Sequence, residues 1–206
     1  MARSKRIRFL ASLTKGFDTV LDIGTDHGFV LQDAFDLGLI KKGIAADIKE
    51  GPLNQAKENL KHYPVDFVLS DGFQAIDQPF DLAIIAGMGA YTIAEILDHV
   101  FLDVTYVLQA NDKQDILRQY LMDHDYVIID ESVIYDGFYY VVMMVKKGKM
   151  SLDERDIYLG PVLQQKSESM LYYQHQLKTL SGIVNQADDE KKMMLERLIG
   201  YLKSVL

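Results

Sequence analysis

The chain contains no cysteine. That excludes a disulfide framework and any thiolate metal site. Its five histidines are scattered and form no His-x-x-x-His pair, so zinc has no support and no metal is expected. There is no run of about 18 apolar residues and no signal-peptide pattern, which leads to the expectation of a cytoplasmic protein without a membrane partner. Gly-x-Gly-x-x-Gly, the fingerprint that brings glycine backbone close to a pyrophosphate, is also missing.

What is present is a chain of 206 residues, 49% hydrophobic and 25% charged, enough for one ordinary soluble domain plus an appendage. The net charge of −8 is unevenly distributed. Residues 1–16 carry Arg3, Lys5, Arg6, Arg8 and Lys15 and no acid. Residues 17–145 hold 7 basic and 22 acidic residues, and residues 146–206 hold 10 basic and 8 acidic. Basic ends on an acidic body are a hint of nucleic-acid contact, and a merely solvated basic terminus is the alternative.

From Phe17 to Val145, short apolar runs alternate with amphipathic stretches. Strands are predicted at Thr19–Ile23, Gly43–Asp47, Phe67–Ser70, Leu82–Ala86, Tyr106–Gln109, Val127–Asp130 and Phe138–Val145. Helical patterns lie at Phe29–Leu37, Pro52–Lys61, Tyr91–Asp98 and Lys113–His124. Such alternation predicts an α/β fold with a parallel sheet and right-handed crossovers. The last two strands flank Tyr135-Asp136-Gly137, a hairpin signal, so the sheet should finish in an antiparallel strand, as in class I, Rossmann-like methyltransferases. After residue 149 the texture changes. Leu163, Met170, Leu177 and Val184 recur every seven residues, and Met194, Leu198, Tyr201 and Val205 follow at 4-3-4 spacing. The expectation is a domain over 1–149 with a basic N-terminal helix, and an α-helical coiled-coil hairpin over 150–206. Its first helix, of about 22 residues, would span roughly 30 Å.

The most informative stretch is Val20-Leu21-Asp22-Ile23-Gly24-Thr25-Asp26-His27-Gly28. A strand ends on an acid, and a glycine turn then opens into a helix, the geometry that lets backbone approach a nucleotide-like ligand. Carboxylates in such a turn repel a pyrophosphate but suit a cation, and S-adenosyl-L-methionine carries a sulfonium and an ammonium. Asp47 closes the second strand, where an acid accepts from ribose hydroxyls. Ser70-Asp71-Gly72 closes the third, and Ala86-Gly87-Met88-Gly89-Ala90 follows the fourth. The fourth loop lacks the Asn/Asp-Pro-Pro-Tyr/Phe motif by which many methyltransferases hold an exocyclic amine. Gln109-Ala110-Asn111 ends the fifth strand, where an amide could read a base edge.

Together these segments resemble the bacterial tRNA (adenine-N1)-methyltransferases of the TrmK type, which modify adenine 22 in the D-arm region. Asp22-Ile23-Gly24-Thr25-Asp26-His27-Gly28-Phe29-Val30-Leu31 is similar to the family's first loop, Asp-Ile-Gly-Ser/Thr-Asp-His-Ala-Tyr-Leu-Pro. Asp47 with Glu50-Gly51-Pro52, Asp71-Gly72, Ile85-Ala86-Gly87-Met88-Gly89-Ala90 and Leu108-Gln109-Ala110-Asn111 resemble the later motifs. Ser4-Lys5-Arg6-Ile7 resembles the family's N-terminal Ser-x-Arg-Leu, and Leu159-Gly160-Pro161 the entry to its coiled coil. The departures are Phe29 for an aromatic alcohol, Leu31 and Ala110 for prolines, and Ala90 for a glycine.

The resemblance implies methyl transfer from S-adenosyl-L-methionine to N1 of a tRNA adenine, by a monomer or weak dimer. It implies Asp22, Gly24, Thr25, Asp47, Ile48, Asp71, Gly72, Ala86 and Gly87 at the cofactor, and Asp26 as the catalytic carboxylate. Arg6, His27, Phe29, Met88 and Asn111 fall to the substrate, with Phe29 stacking on the base. Alternatives are methylation of another RNA base, a nicotinamide-dependent oxidoreductase, and a non-catalytic tRNA-binding relative.

Overall fold

Apolar runs bounded by turns become strands of one sheet in the computed structural model, which describes residues 4–98 and 103–206. Arg3 lies outside the described residues. The strands are β1 (Thr19–Ile23), β2 (Lys42–Asp47), β3 (Val65–Leu69), β4 (Leu82–Met88), β5 (Thr105–Ala110), β6 (Tyr126–Asp136) and β7 (Phe138–Lys147). Their order is β3-β2-β1-β4-β5-β7-β6. β1 to β5 pair in parallel, and β7 inserts antiparallel between β5 and β6. This is the predicted mixed sheet. The order reverses between β1 and β4, and in a doubly wound sheet ligands bind in the crevice outside the carboxyl ends at that point.

Buried central strands explain why β1 and β4 read as unbroken apolar runs rather than alternating ones. One face carries α1 (Lys5–Ser12), α2 (Phe29–Asp36) and α3 (Glu50–Leu60), packed on Val20, Leu82, Ile84 and Val107. The other carries α4 (Ala90–Leu97) and α5 (Gln114–Asp123) on Leu21, Ile85, Tyr106 and Leu108. In α1, Leu10 and Ala11 are buried while Lys5 and Arg8 are exposed, so the basic residues look outward.

β6 is much longer than the sequence suggests, because Asp130-Glu131 reads as the end of a strand. A bulge between Ile128 and Asp130 changes the register, so that both Ile128 and Glu131 are buried. There Glu131 meets Arg118 of α5 at 2.8 Å, both side chains almost wholly enclosed. Arg118 also donates to the carbonyls of Ile157 and Tyr158, while Glu131 accepts from the N–H groups of Val162 and Leu163. A pair that looks like surface charge in the sequence thus ties the C-terminal segment to the sheet.

That segment is less regular than a 22-residue helix. A short α6 (Glu154–Leu159) precedes two 3-10 turns, and extended backbone at Lys166 interrupts them. The helix proper, α7 (Met170–Ile183), has 14 residues. The Glu131 carboxylate captures the N–H groups at 162 and 163, and the Ser169 hydroxyl donates to the carbonyls of Leu163 and Lys166, so a continuous helix gives way to these local bonds. α8 (Asp189–Lys203) returns along α7. Its buried positions are Leu195 and Leu202, one residue away from the predicted Met194 and Tyr201, and Met194 is exposed. The shift follows from two partners instead of one, since α8 packs on α6 as well as α7. Leu159, Leu163, Tyr173 and Leu202 share one apolar cluster with Leu117 and Leu121 of α5, so the hairpin is rooted in the main core.

Candidate active site

A cleft of about 830 Å³ opens along the carboxyl ends of β1 to β4. Its floor is built by turns that the sequence makes unavoidable. After β1, Gly24 takes φ +73°, and a Cβ there would sit 2.2 Å from the Met88 side chain. The left-handed backbone favours glycine here, and the end of the Met88 side chain lies over it. The N–H groups of Gly24 and Thr25 donate to the carbonyl of Ala46, which pins the turn over the end of β2. Asp26 adopts φ +50°, a left-handed conformation that aspartate tolerates better than most residues.

Acids dominate the cleft. Asp22 is buried and accepts from the Thr25 hydroxyl at 2.8 Å. Burial pushes its carboxyl up to about 6; the Thr25 hydrogen bond opposes this, while the charges of Asp47 and Asp26 add to it. Asp47, also buried, accepts from the N–H of Lys49 at 2.9 Å and that of Asp26 at 3.3 Å. Those two bonds orient the carboxylate at the end of β2 and leave lone pairs for a ligand. Asp71 and Gly72 line the third loop, which the Ser70 hydroxyl shapes by donating to the Gly72 carbonyl and accepting from the Ala75 N–H. Ile48 stands out at the rim, 60% exposed.

On the other side, β4 bulges at Gly87, φ +82°, and turns its backbone to the cleft beside Met88. Three residues hold that bulge. Arg6 Nη1 donates to Gln109 Oε1 at 2.8 Å, Gln109 Nε2 donates to Asn111 Oδ1 at 3.1 Å, and Asn111 Nδ2 donates to the Gly87 carbonyl at 2.7 Å. At the mouth, the rings of His27 and Phe29 stack on each other with centroids 5.3 Å apart, and Asp26 projects beside His27.

All the residues expected at cofactor and substrate line this cleft except Asn111, which is exposed beside the Gly87 turn and whose amide is engaged at both ends. Sequence reasoning missed the buried Gln109 as the relay in this chain. It also missed Thr92, Glu95 and Ile96, which close the cleft from one face of α4. Their 3-1 spacing on a helix that starts right after the Gly-Met-Gly turn was the available signal. Among the described residues no group of three or more His, Asp or Glu could hold a metal, and no helix is long and apolar enough to cross a membrane.

The family model for TrmK, tRNA (adenine(22)-N(1))-methyltransferase, matches residues 20–203. The chain belongs to that family. Its reaction is methyl transfer from S-adenosyl-L-methionine to N1 of an adenine in tRNA, which sets aside the nicotinamide-dependent alternative. A Mycoplasma pneumoniae relative is 31% identical over 192 residues, covering 86% of this chain and 90% of that one. The Bacillus subtilis tRNA (adenine(22)-N(1))-methyltransferase is 28% identical over 223 residues, covering 97% of this chain and 94% of that one. Among solved structures, M. capricolum TrmK in complex with S-adenosyl-homocysteine superposes with a TM-score of 0.84 at 27% identity, over 99% of this chain and 97% of that one. A Streptococcus pneumoniae protein in complex with S-adenosyl-L-methionine gives 0.87 at 29% identity over the whole of both chains. For this TrmK-family chain the cleft passes a direct test of fit. Three carboxylates at or beside the strand ends and a left-handed glycine turn at Gly24 form a cradle suited to a cationic nucleoside.

Proposed function

We propose that Asp22, Gly24, Thr25, Asp47, Ile48, Asp71, Gly72, Ala86 and Gly87 hold S-adenosyl-L-methionine, and that the target adenine enters between Asp26, His27, Phe29 and Met88. The observation that carries this reading is the convergence of Asp22, Asp47 and Asp71 on one cleft at the switch point of the sheet. Asp47 would take the ribose hydroxyls, Ile48 would cover one face of the cofactor's adenine, and Asp71 would meet its exocyclic amine. Asp22 would face the cationic end. The bound cofactor supplies a methyl group already activated on a sulfonium.

The protein's share is then positioning and charge. Adenine N1 attacks in line, so holding it at the right distance provides much of the acceleration. Methylation leaves the ring cationic, and a carboxylate at the mouth stabilises that charge as it develops. Asp26 is that carboxylate: it accepts from N6 or takes its proton. Phe29 stacks on the base, with His27 behind it. Asn111 acts through the Gly87 bulge that it holds, and Arg6 closes the same network from the N-terminal helix. Because N1 is a Watson–Crick atom, the adenine must be unpaired or flipped first.

In this scheme residues 1–149 form the catalytic body and 150–206 an arm that orients the RNA, in a cytoplasmic protein that works as a monomer or weak dimer. Incubation with tRNA and S-adenosyl-L-methionine, followed by digestion and mass spectrometry of the nucleosides, tests the assignment. The expected product is N1-methyladenosine at position 22. A methyl group on another base or position would overturn it.

A further inference from the structure

The tip of the β6–β7 hairpin takes no part in the reaction as described, yet it carries Tyr135, Phe138, Tyr139 and Tyr140 within six residues. Leu108 pairs with Met143 and β5 ends at Ala110, so residues 138–140 stand beyond β5, on the edge that bears the cleft. Phe138 is 74% exposed, at a place where turns ordinarily carry small polar residues.

This tip is held in place. Asp136 accepts from the Ser4 hydroxyl at 2.6 Å and from the Arg6 N–H at 3.2 Å, which fastens it to α1. On one face Tyr139 packs against Tyr135, Tyr172 and His175, with centroids 4.9, 5.6 and 5.3 Å away. On the other face Tyr140, two residues from Phe138, lies under the Arg6 guanidinium at 5.1 Å, and Arg6 lines the cleft. Phe138, Tyr140 and the cleft therefore follow one another along a single side of the protein. The charge there suits RNA. Lys5 and Arg8 are exposed on α1, and Asp136, the one acid between Ser132 and Val145, is already engaged by α1.

We propose that Phe138 is a stacking platform for an unpaired nucleotide of the tRNA next to the target adenine, with Lys5 and Arg8 on the adjoining phosphates. An adenine presented through its N1 has left its stack, and neighbours so released are the bases that proteins hold on aromatic faces. The inference rests on tRNA being the substrate.

Phe138→Leu keeps an apolar side chain and removes the π face, whereas Phe138→Trp keeps the face. With a tRNA transcript, the leucine variant should show a KM for tRNA raised roughly fivefold to a hundredfold, the range of base–aromatic stacking. Its kcat and its affinity for S-adenosyl-L-methionine should match wild type, and the tryptophan variant should restore KM. A tRNA carrying 2-aminopurine beside the target should lose fluorescence on binding wild type but not the leucine variant. An unchanged KM with the same quenching in both proteins overturns the proposal, as does failure of tryptophan to rescue. Sedimentation showing a dimer that Phe138→Leu dissolves would make the tip an interface between copies and also overturn it. If wild type fails to methylate the transcript, the substrate reading falls, and the quenching still reports on the tip by itself.

Discussion

Asp22 shows how one buried carboxylate ties the fold to the ligand. Burial places its carboxyl at about 6, above the usual 3.8. A raised value means the fold favours the protonated form, so the stability it contributes is complete below pH 3.8 and lost as pH rises through about 6. A cation beside it favours the carboxylate. Cofactor binding should therefore be tightest above pH 6 and weaken below it by up to about tenfold per unit, and Asp22→Asn should flatten the profile. Calorimetric titration at several pH values checks this. Asp47→Ala removes charged hydrogen bonds worth about 1.5–3 kcal/mol each and should weaken cofactor binding at least tenfold by the same method. Asp26 calls for a subtler change because of its left-handed backbone. Asparagine tolerates φ +50°, so Asp26→Asn removes the charge alone. It should cost roughly a hundredfold or more in kcat, in the range of lost acid–base catalysis, with cofactor affinity kept. Full turnover would make Asp26 structural.

Among the elements, β6 and the C-terminal helices depend on the Arg118–Glu131 pair. Both side chains are buried, and each also binds backbone of the 157–163 segment. Removing one partner strands the other charge in the interior. Glu131→Ala is expected to lower stability by about 3–5 kcal/mol in urea unfolding, and Arg118→Met with Glu131→Leu recovers little of it, because the carbonyls of Ile157 and Tyr158 and the N–H groups of Val162 and Leu163 lose their partners as well. Gly160 sits against the pair at φ +99°, and a Cβ there would lie 2.7 Å from both Arg118 and Glu131. The apolar spacing of the sequence marks a C-terminal helical hairpin but says nothing of this anchor, because its members lie 13 residues apart and on different elements.

The whole molecule must hold an anionic substrate on an acidic body. The structure separates two roles within the basic N-terminus. Arg6 is committed to Gln109 and the cleft, whereas Lys5, Arg8 and Lys15 are exposed. Replacing those three with alanine should weaken tRNA binding and reduce the slope of log K against log salt by about 2, at about 0.7–0.9 per phosphate contact. Filter binding over a range of salt measures it, and an unchanged slope would mean that α1 is simply a solvated end. Arg6→Ala should instead lower turnover while leaving the slope nearly intact.

By itself the sequence determined the sheet, its antiparallel finish and the loops that line the cleft. Each of these is local: an apolar run, a glycine turn and an acid that follow one another along the chain and need no distant partner to be recognised. Tertiary structure decided what depends on groups far apart in sequence. The bulge turns Glu131 inward onto Arg118, and the carboxylate binds the backbone N–H groups where the predicted first arm helix would have run. Asn111 holds the Gly87 turn instead of lining the cleft, because Gln109 and Gly87 use both ends of its amide. Arg6, 103 residues from Gln109, joins the N-terminal helix to the site through a contact that no spacing encodes.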